Sequence, residues 1–332
     1  MTAKKIFIYF LILIITASPV SAGDVSLNKW VLNVTLQDDG LVEETIQAEI
    51  QNSGSLPLEG LSFVVPASKV TISNEDIVSI PAIGQEVTQQ TVQDGVKIII
   101  NFNTPLEAGK KWNGRISLKA ENWAVKEGSN YSIDIPVKAP QIIIAGKNID
   151  ISVPAEAEIR SQVFLPKSVE VTSVTPKPFR ILFQYNHMVP TWSPDKLQIG
   201  DVIRIKGSFS SILEKIVETD EKSRELTSQI KKAKAQGIDV SEADAHLKNA
   251  ENYNTNQALQ SFWKKDNTVA LEYVGYANEE LKLAESSLAA PAKTESPPEK
   301  SEEKKQTPWL GAGGLILILL ISFVIIRRKQ VH

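Results

Sequence analysis

The sequence predicts a multidomain chain: an all-β sandwich region, then an α-helical antiparallel three-helix bundle or coiled coil, then one transmembrane helix. Three observations carry that reading. Apolar residues alternate with polar ones from Asp24 to about Lys206, the period of half-buried strands. From Ile212 to Ala289 there is no proline, and apolar or small residues recur at four-three spacing. From Trp309 to Ile326 there is no charge, and Arg327, Arg328 and Lys329 follow at once.

The N-terminus comes first. Lys4 and Lys5 precede the apolar run Ile6–Ile15, and Val20-Ser21-Ala22 offers small residues before Gly23. A basic start, a short apolar run and an A-x-A-like site are the layout of a secretory signal peptide, so residues 1–22 are expected to be removed. The run is short for a membrane span, which favours cleavage over an uncleaved anchor.

Residues 23–139 are expected to form an immunoglobulin-like sandwich. Trp30, Leu32, Val34 and Leu36 fall on one face of the first strand, with Asn33, Thr35 and Gln37 on the other. The turn Asp38-Asp39-Gly40 follows, then Ile46, Ala48 and Ile50 inward against Glu43, Thr45, Gln47 and Glu49 outward. Alternation on both sides of an Asp-Gly turn predicts a hairpin with one wet face. Val96, Ile98, Ile100 and Phe102, then Ile116, Leu118 and Ala120, and Tyr131, Ile133, Ile135 and Val137 continue the pattern. Residues 140–206 are expected to be a second, smaller β domain, or the remainder of one large sandwich. Ile149, Ile151 and Val153 alternate there, as do Phe179, Ile181, Phe183 and Tyr185, and Ile203 and Ile205; prolines separate the runs.

Residues 207–290 are expected to be the helical bundle. Ile212, Ile216, Thr219, Ser223, Leu226, Ile230 and Ala233 form one seam, which Gly237 ends as a C′ residue would. Ser241 with Asp244 resembles a capping box and opens a helix running to about Trp263. Asn267 caps a third, whose seam is Ala270, Val274, Ala277, Leu281, Ala284 and Leu288. Short loops between helices of similar length predict an up-down-up arrangement. Residues 291–308, made of Pro, Glu, Lys, Ser and other small or polar residues, are expected to be a disordered tether.

Residues 309–326 would give a helix of about 27 Å, close to the ~30 Å of a bilayer's hydrocarbon core. Trp309 suits the interface, and Arg327, Arg328 and Lys329 hold residues 327–332 on the cytoplasmic side. The expected placement is therefore single-pass in the plasma membrane, with the N-terminus extracellular and the bilayer as one partner.

The order of segments resembles that of uncharacterised archaeal-type membrane-anchored surface proteins. The string Gln236-Gly237-Ile238-Asp239-Val240-Ser241-Glu242-Ala243, followed by Leu247 and Ala250, looks like helical repeats common in them. In outline it is also similar to the anchored stalk subunits of archaeal surface layers. The resemblance covers layout and implies no functional residue.

Composition narrows the chemistry. There is no cysteine, so disulfides, thiolate nucleophiles and Cys-based metal sites are excluded. The formal net charge is −3, and Lys4, Lys5, Arg327, Arg328 and Lys329 sit in the two ends, so the remainder is more acidic still. That argues against nucleic acid as a partner. His187, His246 and His332 share no ligand spacing, and no cofactor motif appears. Asp38, Asp39, Glu43 and Glu44 are the densest acidic group of the β part and read better as a turn with solvent-facing strand residues than as a calcium site. Asp195 and Asp201 read as turn formers. Catalytic, cofactor and metal residues are accordingly all assigned as none. Asn33-Val34-Thr35 and Asn130-Tyr131-Ser132 are glycosylation triplets.

The leading expectation is a non-catalytic cell-surface protein acting as a structural, adhesive or protein-binding module, with protein partners or self-association through the helical region. One alternative is an accessory subunit of a larger membrane complex for transport, secretion or glycosylation. Another is an extracellular hydrolase using scattered carboxylates, which needs no local motif.

Overall fold

A computed structural model describes residues 24–289. The strands in chain order are β1 (Val25–Leu36), β2 (Val42–Asn52), β3 (Leu58–Val65), β4 (Lys69–Thr71), β5 (Ile77–Ile80), β6 (Gln85–Val92), β7 (Gly95–Leu106), β8 (Lys111–Glu121) and β9 (Val125–Glu127). They continue as β10 (Asn130–Pro136), β11 (Gln141–Ile144), β12 (Lys147–Asp150), β13 (Glu158–Phe164), β14 (Val169–Thr175), β15 (Arg180–Gln184), β16 (His187–Trp192) and β17 (Val202–Phe209).

Three sheets result. The largest runs β15-β16-β13-β1-β2-β8-β4, with β5 also on β8; the others run β14-β17-β10-β9 and β12-β11-β3-β7-β6. β1 and β2 form the hairpin that their alternation predicts, with Trp30 opposite Ala48, Leu32 opposite Ile46 and Val34 opposite Glu44. The turn between them bends at Gly40, whose φ of +87° suits a residue without Cβ. On its other edge β1 pairs in parallel with β13, from far along the chain.

Each sheet thus mixes strands from before and after residue 140. β13, β15 and β16 extend the sheet of β1, β2 and β8; β11 and β12 extend that of β3 and β7; β14 and β17 extend that of β10. Residues 24–289 belong to one compact unit.

The helices are α1 (Ser211–Ala235), α2 (Ser241–Glu251), α3 (Leu259–Trp263) and α4 (Asn267–Ala289), with a π-helical segment Asn252–Ala258 between α2 and α3. Ser210 caps α1, its Oγ accepting from the Leu213 amide at 3.4 Å. Gly237, at φ +79°, turns the chain after α1. Near the sheets, Leu213, Ile216, Val217, Phe262, Ala270 and Val274 are buried in the same core as Trp30, Ile98, Ile133 and Ile205. At the far end Leu226, Ile230, Ala243, Leu247, Leu281 and Ala284 form a separate cluster. Lys167–Glu221 (2.5 Å) and Lys265–Glu170 ion pairs link the helical region to the β region at the surface, Lys167 lying in the loop before β14 and Lys265 in the loop before α4.

Several expectations are corrected here. The multidomain fold class gives way to one largely β unit of three sheets, because strand pairing is non-local and the sheets interleave. The self-contained three-helix bundle or coiled coil is corrected too: the middle helical stretch runs on through a π segment, Asn252–Ala258, and the helix roots are part of the β core. The helical seams expected to leave room for a protein partner are filled, near the sheets by that core and farther out by the second cluster.

Among the described residues no helix is long and apolar enough to cross a membrane. The expected span 309–326, with Trp309, Arg327, Arg328 and Lys329, lies outside the described residues, as do segments 1–22 and 291–308. The bilayer as partner and the single-pass plasma-membrane placement are withdrawn on that finding.

Candidate functional site

The feature that stands out chemically is Glu44. Strand β2 alternates, and its buried set is Val42, Glu44, Ile46, Ala48 and Ile50. Glu44 is 5 % exposed, in register with Val34 of β1 on one side and Leu118 of β8 on the other, both buried. A carboxyl among apolar neighbours loses hydration that favours its charged form. Burial pushes the Glu44 carboxyl from its ordinary 4.5 up to about 8. It has no hydrogen-bond partner among the described residues, and desolvation alone accounts for the shift.

Glu44 lines a cavity of about 680 Å³ between the largest sheet and the sheet of β3 and β7. Buried Trp30, Leu32, Ile46, Phe63 and Trp123 form the inner wall, while exposed Asp94, Lys138, Asp150 and Gly200 mark the mouth. Trp30 and Phe63 meet edge to face, their centroids 6.2 Å apart at 76°.

Several other polar groups of the wall are engaged. Trp123 Nε1 donates to the Asp134 carbonyl at 2.8 Å, and Ser62 Oγ donates to Asn148 Oδ1 at 3.0 Å. Asp150 accepts from Gln141 Nε2 at 3.0 Å at the rim. The site is an apolar, aromatic pocket with one acid on its wall that is unpaired among the described residues. Pockets of this size and lining hold small molecules, and a few polar groups fix their orientation.

The residues singled out from sequence do not gather here. Asn33 lies half-buried on the outer face of β1, and Asn130 is exposed at the start of β10, in a different sheet. Asp39 accepts from the Leu41 amide at 2.9 Å, shaping the hairpin turn, and Glu43 pairs with Lys119 at 3.0 Å. Asp201 accepts from the Gln198 amide at 2.8 Å, and Asp195 accepts from Ser193. His187 Nδ1 is 2.5 Å from the Leu165 carbonyl, and His246 meets Glu280 between helices. No group of three His, Cys, Asp or Glu side chains able to hold a metal occurs among the described residues.

The sequence carries two conflicting signals for Glu44. Its parity with Ile46, Ala48 and Ile50 places it inward, but its position beside Glu43, after Asp38 and Asp39, makes it read as solvent-facing.

No family model matches the chain, and no curated protein does. Among solved structures, the chain is similar to an M1 zinc metallopeptidase from Deinococcus radiodurans, at 11% identity and a TM-score of 0.34, over 56% of this chain and 42% of that one. It is similar to native yeast LTA4 hydrolase at 10% identity and a TM-score of 0.33, over 62% and 35%. A putative protease from Parabacteroides distasonis gives 11% and 0.34, over 68% and 50%. The chain spans half or less of the length of these proteins. Likeness at this level defines neither fold nor activity.

Proposed function

We propose that this chain is a binding protein without catalytic activity of its own, whose ligand is a small, largely apolar molecule seated in the Glu44 cavity. One observation carries the reading: a buried carboxyl with no hydrogen-bond partner among the described residues lines a cavity of about 680 Å³ walled by Trp30, Phe63 and Trp123. An unpaired buried polar group costs stability, so its presence at a cavity wall is explained by a ligand that pairs with it.

Titration of the full chain with the neutral dye N-phenylnaphthylamine, followed by tryptophan quenching and by competition with small aromatic compounds, tests this. Saturable one-to-one binding that other small aromatics displace is the expected result. Absence of saturable binding to the native protein overturns it.

A second reading, a hydrolase working through carboxylates, is favoured by a specific feature. Glu44, held protonated near neutral pH, shares its cavity with the exposed carboxylates Asp94 and Asp150. A protonated acid facing a second carboxylate is the division of labour used in acid–base hydrolysis. Turnover of glycosidic, peptidyl or phosphoryl substrates that Glu44→Gln abolishes would establish this reading in place of the first.

A further inference from the structure

We infer that the ligand is a protonated amine on an apolar or aromatic body, with its ammonium group on Glu44 and its body against Trp30, Phe63 and Trp123; this rests on the cavity being a ligand site. Ligands of different charge fare differently beside Glu44. An anion there would lie beside a buried acid with no cation among the buried wall residues. A neutral carbonyl could accept one hydrogen bond from the protonated acid but gains little from aromatic faces.

An ammonium gains from both. It donates to the carboxylate in a charge-assisted hydrogen bond, and the negative faces of indole and phenyl rings attract it. It also removes the cost of an isolated buried charge, because the two charges are desolvated as a pair. The rim does not decide the matter. Asp94 and Asp150 sit there with Lys97 and Lys138, so both signs are present at the entrance.

A pH dependence follows. The neighbours of Glu44 across β1 and β8, Val34 and Leu118, do not ionise, and the charged groups facing the cavity are Asp94, Lys97, Lys138 and Asp150. Burial pushes Glu44 up to about 8, so below that pH each ammonium bound displaces one proton. Amine affinity should therefore fall about tenfold per pH unit on the acid side. A neutral ligand accepting from the protonated acid would show the opposite sign.

The experiment is calorimetric titration of the full chain with tryptamine and with tryptophol, which carries a hydroxyl in place of the amine. Titrations at about pH 6.5 and about pH 8.5, in buffers of different ionisation enthalpy, count the protons released. Tryptamine is expected to bind at least about tenfold more tightly than tryptophol at the higher pH. It should release close to one proton at the lower pH, and it should lose that advantage in Glu44→Gln while tryptophol binding persists. Equal or tighter binding of tryptophol, unaffected by Glu44→Gln, overturns the amine inference and leaves the cavity a ligand site. Failure of both compounds to saturate the protein, together with failure of the dye titration, overturns both readings.

Discussion

His246 Nδ1 lies 2.7 Å from Glu280 Oε2, a side-chain bridge from α2 to α4. Asn249 Nδ2 donates to the same oxygen at 3.3 Å, so one carboxylate gathers two residues of the facing helix. Both members of the pair are partly exposed, at 26% and 20% for their side chains, so the bridge is wet and its worth modest. Glu280→Ala should lower stability to urea by about 0.5–1 kcal/mol. A double-mutant cycle with His246→Ala should give a coupling energy no larger than that.

Glu44 makes stability depend on pH in an unusual direction. Its folded value, about 8, lies above the ordinary 4.5, so between the two the native state holds a proton that the unfolded chain has lost. The native state is therefore favoured most at the acid end of this window, and its stability declines as pH rises, by about 1.4 kcal/mol per unit. Urea midpoints at about pH 5 and about pH 8 should show that decline, and Glu44→Gln should remove most of it.

Trp112 depends on the glycine two residues on. A Cβ at Gly114 would sit 1.9 Å from Trp112 Cη2, within the indole itself. The ring lies flat along β8, is 1% exposed, and packs on Phe102 at a centroid distance of 5.4 Å. Gly114→Ala must displace it, at a cost of about 1–3 kcal/mol. The near-UV circular dichroism of the native protein should change along with the midpoint.

Asn254 anchors the π segment. Its Nδ2 donates to the Ile216 carbonyl of α1 at 2.9 Å, while its Oδ1 is buried without a partner among the described residues. The wider π turn shifts the helical phase after α2 and so sets which residues face α1. Asn254→Ala should cost about 1–2 kcal/mol by chemical denaturation, with Ile216 and Phe262 the residues whose NMR signals move most.

Legibility in the sequence followed the range of the interactions. Period-two alternation identifies the buried faces of β1 and β2, since Trp30, Leu32, Val34, Ile46 and Ile50 need only their own strand's pleat. Four-three spacing likewise marks Ile216, Thr219, Ser223, Leu226 and Ile230, all buried. What covers those faces is not local. Nothing near Trp30 announces that Ile159 of β13 lies beside it, or that the root of α1 joins the β core. The alternation of Phe179 and Tyr185 misleads for the same reason: they flank β15, the end strand of its sheet, and stay 60% and 66% exposed. At the site, the pleat that buries Ile46 also buries Glu44, but carboxylates at strand positions are ordinarily solvated, and a cavity between two sheets leaves no periodicity to read.

The split of the helical core into two clusters has a kinetic consequence. Leu213, Ile216, Phe262 and Val274 are packed in the core of the sheets, whereas Leu226, Ile230, Leu247 and Leu281 belong to the separate far cluster. Hydrogen exchange under native conditions should therefore grade along α1 and α4. Amides around Ile216 and Val274 should exchange only with global unfolding, and those around Ile230 and Leu281 through a cheaper, local opening. The far ends of the helices would then come and go as a unit while the β core stays shut.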